Sequence, residues 1–289
     1  MVKVIDCCFE STGHTSIICD FSPPRSGDPE IVAQAQLDVD FISVSYNPGR
    51  AVRTNSAMLA AAIQQSGKNT VFTLATRDMN KLAVQTQLLG AQMLGVENVV
   101  VVQGDPFSER DRSMLASVND YQPTGLIAAI SKMNQGQDFR DGKLRAATIF
   151  CIGAVVDLSK GMEEEARLAV RKVRAGAQFL ITQPIFDMDQ VARYRESYAD
   201  HAGEARVPPI YFGLQILEQD GVLFSSVPDS VRSELGAGRS GIDIALELYC
   251  KFQEAGLNNV YLMPPIKQGG ARNYKAAKEF LAKASKLHS

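Results

Sequence analysis

The chain has 289 residues, 45% of them hydrophobic, with 30 basic against 32 acidic side chains and a net charge of −2. That length buries roughly 75% of the unfolded surface. The charge balance argues against the basic stripe of a nucleic-acid binder, and no run of 18 apolar residues or apolar leader suggests a membrane partner. The expectation is a soluble, cytoplasmic protein. Its five cysteines are not spaced as a disulfide framework, which suits a reducing compartment. A zinc site built from Cys7 or Cys8 with His14 has the wrong spacing and lacks a ligand, so no metal is expected.

In chain order, the first strand reads "SIICDF" (16–21) and the second "DFISVSY" (40–46). A helix follows over 53–67, closing at Gly67, and then the strand "TVFTLA" (70–75). The next helix, 79–95, is expected to turn Leu82, Leu88, Leu89 and Leu94 to one side. The strands "NVVVVQG" (98–104) and "AATIFCIGAVV" (146–156) come next. The helix over 163–176 carries acids in its first turn and bases near its end, which suits the helix dipole. The strands "QFLITQ" (178–183) and "PIYFGLQ" (209–215), a helix over 240–256, the strand "NVYLMP" (259–264) and a helix over 274–287 complete the chain.

Most of these strands are continuously apolar, the mark of strands covered on both faces. Eight of them alternating with helices predict an α/β protein, a single-domain (β/α)8 TIM barrel. The barrel domain is expected over 16–289, after an N-terminal segment, 1–15. An open doubly wound sheet is the alternative, but no G-x-G-x-x-G follows the first strand.

In a barrel, functional groups gather at the C-terminal ends of the strands. The first strand ends at Asp20, before Pro23 and Pro24 stiffen the exit. The second runs into Ser45, the third carries Thr73, and the fourth runs into Gly104 and Asp105. The sixth ends at Gln183. Asp105 reads equally as a helix cap and as a site carboxylate. Gln183 has donors and an acceptor to satisfy, from a heterocycle edge or from neighbouring backbone. Arg171 and Lys172 make either a solvated helix end or an anion site, and Glu165 stands near the start of the same helix.

The pieces "DFSPPRSG", "NPGRAVRTNSAMLAAAIQ", "TRDMNKLAVQTQLLGAQMLGVENVVVVQGDP", "RKVRAGAQFLITQPIFD" and "VYLMPP" stand in one order along nearly the whole chain. In them the chain resembles the methylenetetrahydrofolate reductase family, most closely the reductase half of the branch fused to a homocysteine methyltransferase. The resemblance implies a barrel that binds FAD at the strand ends. It implies reduction of 5,10-methylenetetrahydrofolate to 5-methyltetrahydrofolate with NADH or NADPH, in one-carbon metabolism and methionine biosynthesis. Nicotinamide and folate take turns at the flavin.

Carried over by position, Asp20 stands where the family has a glutamate proton donor, and Asp105 on the acid beside flavin and pterin. Gln183 falls on the pterin-binding glutamine and Phe224 on a substrate-packing aromatic. Arg171 and Lys172 match the pair that holds the FAD phosphates, Glu165 an acid near the ribose, and Ser45 a cofactor-contacting threonine. Thr73 replaces a histidine along the flavin's path, Gln103 an arginine before Gly104, and Leu168 a polar contact.

A carboxyl at an apolar mouth would be expected to hold a proton toward neutrality, as a general acid needs. The partners expected are the small-molecule folate, with a homo-oligomer or an electron-transfer or methyltransferase partner left open. Two other functions also stay open. One is a flavin-free or altered-substrate pterin or one-carbon reductase; the other is a non-catalytic folate- or flavin-binding subunit.

Overall fold

The computed structural model describes residues 2–7, 15–203, 207–223 and 227–287. Eight parallel strands close on themselves in sequence order: β1 (Ser16–Phe21), β2 (Phe41–Val44), β3 (Asn69–Ala75), β4 (Asn98–Val102), β5 (Cys151–Val156), β6 (Phe179–Pro184), β7 (Ile210–Gln215) and β8 (Asn259–Met263). Closure is made by β1 on β8, with Ser16 beside Asn259 and Cys19 beside Leu262. The helices are α1 (Val4–Cys7), α2 (Ser56–Gln65), α3 (Lys81–Met93), α4 (Glu109–Arg112), α5 (Pro123–Met133), α6 (Met162–Arg174), α7 (Met188–Ala202), α8 (Asp229–Gly236), α9 (Gly241–Glu254) and α10 (Tyr274–Ala284). The TIM barrel is the fold expected from the alternation.

Side chains alternate across a strand, and the alternation separates two cores. Ile18, Phe41, Val71, Val100, Cys151, Phe179 and Tyr211 fill the barrel interior. Their neighbours Cys19, Ile42, Phe72, Val99, Ile152, Leu180 and Phe212 pack outward in the helix-facing core. Interior space is rationed at Gly153. A Cβ there would come within 2.3 Å of the Phe179 ring, which fills the volume Gly153 leaves open. Phe179 in turn meets Tyr211 edge to face, at 6.2 Å between centroids.

Residues 2–7 close the bottom of this interior. Val4 is fully buried with the interior set. Its N–H donates to Asn98 Oδ1 at 3.0 Å, while Asn98 Nδ2 donates to the carbonyls of Val2 and Thr70, each at 3.1 Å. The opposite, C-terminal end of the strands is left for chemistry.

Several sequence expectations shift. The run at 146–156 becomes strand only from Cys151. Upstream, the N–H groups of Thr148, Ile149 and Phe150 donate to Met133 O, Gln92 Oε1 and Asn134 Oδ1, so they are not available to a ladder. On α3, Leu82 and Leu89 are exposed, as is Leu94 just beyond it, and the buried face is Val84, Gln85, Leu88 and Ala91. Leu88 alone of the expected leucines is buried, and Gln85 joins that face with its Oε1 accepting from Phe139 N–H at 3.0 Å. Helices α1, α4, α5, α7 and α8 add to the five read from the sequence. In α7 the buried face, Val191, Tyr194, Tyr198 and Ala202, repeats every three or four residues.

Candidate active site

Alternation carries the inner face upward from Ile18, Val71 and Tyr211 to Asp20, Thr73 and Gln215, at the mouth. Tyr261 of β8 lines the same interior. Ser45 follows β2 directly, its N–H donating to Phe21 O at 2.9 Å.

Asp20 is 4% exposed and is not in apolar surroundings. Arg272 Nε donates to its Oδ2 at 2.6 Å, with both side chains buried. Ser45 Oγ donates to Oδ1 at 2.5 Å, and Tyr261 Oη donates to the same oxygen at 3.2 Å. The expected apolar pocket is therefore replaced by a donor ring, and Asp20 is purely an acceptor here. Burial, and then the Asp20 charge, push the Tyr261 hydroxyl well above its ordinary value, so it stays a donor at any working pH. The same two causes raise the Cys19 thiol.

The loop after β8 brings in Arg272. It folds back through an antiparallel bridge between Ile266 and Arg272 and turns at Gly269 and Gly270, both at positive φ. Arg53 holds this loop to two others. It donates to Gly269 O at 2.7 Å, Pro23 O at 2.8 Å and Pro48 O at 3.1 Å. The exit after Asp20 is pinned further by Ser22, whose N–H donates to Tyr274 Oη at 2.9 Å and whose Oγ donates to Gly270 O at 2.9 Å. Pro23 and Pro24 thus present carbonyls to Arg53 and to the Thr54 N–H.

The other expected site residues lie around the same rim. Asp105 is exposed, and its main-chain carbonyl accepts from Arg77 Nη1 at 2.6 Å. Arg77 also grips Asp78 with two nitrogens, at 2.6 and 2.8 Å, and lies over the Phe107 ring. Asp78 accepts from the Tyr46 hydroxyl, whose acidity burial suppresses most and Asp78 suppresses further. Gly104 takes φ +86, and a Cβ there would meet Arg77 and Ala75 at 3.3 and 3.4 Å. Gln183 is exposed at a bulge of β6, where Thr182 Oγ1 accepts from Gly213 N–H at 2.9 Å.

On α6, Arg171 is exposed, whereas Lys172 is buried and donates to Val155 O at 2.7 Å. Burial lowers the Lys172 ammonium from its ordinary value, partly offset by Glu165. Glu165 accepts from Asp157 N–H at 3.2 Å, so both side chains brace the end of β5. Phe224 lies outside the described residues.

Sequence reasoning missed Arg272, Tyr261, Arg53 and Gln215 as site residues. Gln215 is 2% exposed, and its Oε1 has no hydrogen-bond partner among the described residues. The one available signal was a polar residue ending an apolar strand, which Gln215 shares with Asp20.

A family model described as methylenetetrahydrofolate reductase matches residues 7–227. The chain belongs to the methylenetetrahydrofolate reductase family. A relative named methylenetetrahydrofolate reductase 2, from Schizosaccharomyces pombe (strain 972 / ATCC 24843), is 23% identical over 208 residues. That alignment takes in 69% of this chain but 32% of the relative, so the chain spans about a third of its length. Among solved structures, an uncharacterized protein from Clostridium thermocellum, described as binding two copies of 5-methyl-5,6,7,8-tetrahydrofolic acid, superposes with a TM-score of 0.65. It is 13% identical, with 96% of each chain covered, and shows the shared fold. No helix of this reductase-family chain, among the described residues, is long and apolar enough to cross a membrane, and no group of three or more His, Cys, Asp or Glu could hold a metal ion.

Proposed function

We propose that this chain is an oxidoreductase that reduces 5,10-methylenetetrahydrofolate to 5-methyltetrahydrofolate with NADH or NADPH through bound FAD, in the cytoplasm. The observation that carries the reading is the family match, which spans the strand ends that bring Asp20, Ser45, Thr73, Asp105 and Gln183 to one barrel mouth. The folate-binding neighbour of the same fold supports the substrate class.

The donor set suits a flavin dinucleotide. Arg171 offers an exposed cation to a diphosphate, and Ser45 offers a hydroxyl. Gly104 lets backbone approach where a Cβ would crowd Arg77. For the folate, Gln215 Oε1, unpartnered among the described residues, would be an acceptor for a pterin ring N–H. Lys172 would have to release Val155 O to reach a phosphate.

FAD bound here would supply two-electron hydride chemistry between nicotinamide and folate. Gln183 and Asp105 would orient the pterin. Asp20 would give the proton that opens the folate's five-membered ring, and general acid help of this kind is worth about 10²–10⁴-fold. To do so it must first take up a proton, with Arg272 displaced from Oδ2.

The test is the visible spectrum of the purified protein. A flavin band bleached by NADH or NADPH and restored by methylenetetrahydrofolate is the expected result. The inward turn of Lys172, together with Thr73, Gln103 and Leu168, favours one second reading, direct hydride transfer from nicotinamide to folate. A colourless protein that oxidises NADH only when folate is added would establish that one. Folate binding with no turnover would leave a non-catalytic subunit.

A further inference from the structure

The unusual feature of the mouth is that its acid is already occupied. Asp20 and Arg272 are buried with side-chain exposures of 5% and 8%, and three donors from three elements converge on one carboxylate. Arg272 is not held by Asp20 alone. Its Nη1 donates to Gly270 O at 2.8 Å, and Arg53 fixes the neighbouring Gly269 carbonyl. Arg272 also borders a cleft of about 370 Å³ with Gln34, Tyr274, Lys275 and Lys278.

We propose that Arg272 is a positioning residue for Asp20: it holds the carboxylate across the β1–β8 seam in the resting protein, and the folate step proceeds only as that ion pair opens. This rests on the folate-reductase reading above. The groups facing Asp20 are Arg272 from the loop after β8, Tyr261 from β8, Ser45 after β2 and Tyr274 of α10, with Cys19 next to it in sequence but turned outward. Arg272 is the one permanent cation among them, and its Nε lies 2.6 Å from Asp20 Oδ2. Hydride transfer from nicotinamide needs no proton from Asp20 and is independent of the pair.

The experiment uses the full-length protein as purified, with Arg272→Gln and Arg272→Lys. Aspartate γ-carbons are labelled with ¹³C, and the Asp20 resonance is identified by its loss in Asp20→Asn. Its titration midpoint is expected to move up by about one pH unit or more in R272Q and by less in R272K. A midpoint unchanged in both variants overturns the proposal, and if R272Q does not fold, R272K decides alone.

In the folate step, the alkaline limb of the rate profile is expected to move up in R272Q in the same direction, with kcat altered and KM within about threefold. Reduction by nicotinamide is measured beside it, and an equal change in both steps overturns the positioning role. A carboxyl resonance that moves while the rate profile does not overturns the catalytic part. Wild-type protein that reduces no folate would instead refute the proposed function, and the resonance would still decide whether Arg272 governs Asp20.

Discussion

Arg53 donates to the carbonyl of Gly269 at 2.7 Å, a contact between residues 216 positions apart that ties the loop after β8 to the loops after β1 and β2. Arginine suits the task because its planar fork reaches several carbonyls from one rigid group. Arg53→Ala should lower stability by about 2 kcal/mol, since hydrogen bonds to a charged group are worth roughly 1.5–3 kcal/mol each and part of that returns through solvent. Arg53→Lys should recover less than half. Urea denaturation measures both, and equal stability of Lys and Arg at this position would contradict the three-way bridge.

The Asp20→Asn substitution separates the half-reactions. Folate reduction should fall by about 10²–10⁴-fold, while flavin reduction by NADH or NADPH stays near wild type. Stopped-flow measurement of each half-reaction distinguishes the outcomes, and equal loss in both would remove Asp20 from the acid role. Gln183→Ala should weaken folate binding more than flavin retention; release of flavin would misplace the pterin.

Gln215 carries a buried carbonyl oxygen with no partner among the described residues. An unsatisfied buried polar group costs about 1–3 kcal/mol. Gln215→Met, similar in volume and free of that group, should raise stability by about 1 kcal/mol in the ligand-free protein and weaken folate binding. Calorimetric titration with folate and chemical denaturation together test it. A loss of stability would mean that Gln215 is already satisfied.

Gly153→Ala should destabilise by about 1–3 kcal/mol, the usual cost of overpacking a filled interior, because the Phe179 ring stands 2.3 Å from the added carbon. Phe179→Leu in the same chain should recover part of the loss. Without that recovery, the clash is not the cause.

Cys151 lies inside the barrel floor, and burial pushes its thiol up to about 12. In the unfolded chain the thiol ionises near its ordinary value, so the unfolded state loses this proton first as pH rises. The contribution is present in full below about pH 8.5 and is lost toward pH 12, with a slope of up to about 1.4 kcal/mol per pH unit for one proton. Cys151→Ala should flatten the decline in stability across that window. An identical alkaline slope in both proteins would show that Cys151 stays neutral in both states.

The sequence by itself determined the barrel, because continuously apolar strands need cover on both faces and eight strand–helix alternations leave few ways to supply it. It also marked Asp20, Asp105 and Gln183, since polar residues that end apolar strands fall at one rim once the strands are parallel. Tertiary structure decided what Asp20 touches. Arg272 lies 252 residues away, in a glycine turn with no periodicity of its own, and local pattern carries no information about contacts made by loop closure. The rotation of α3 away from its leucines, and the turn of Lys172 toward Val155 O, were settled in the same way. Both involve partners, Phe139 N–H and Val155 O, that lie far off in sequence and come alongside only once the chain has closed.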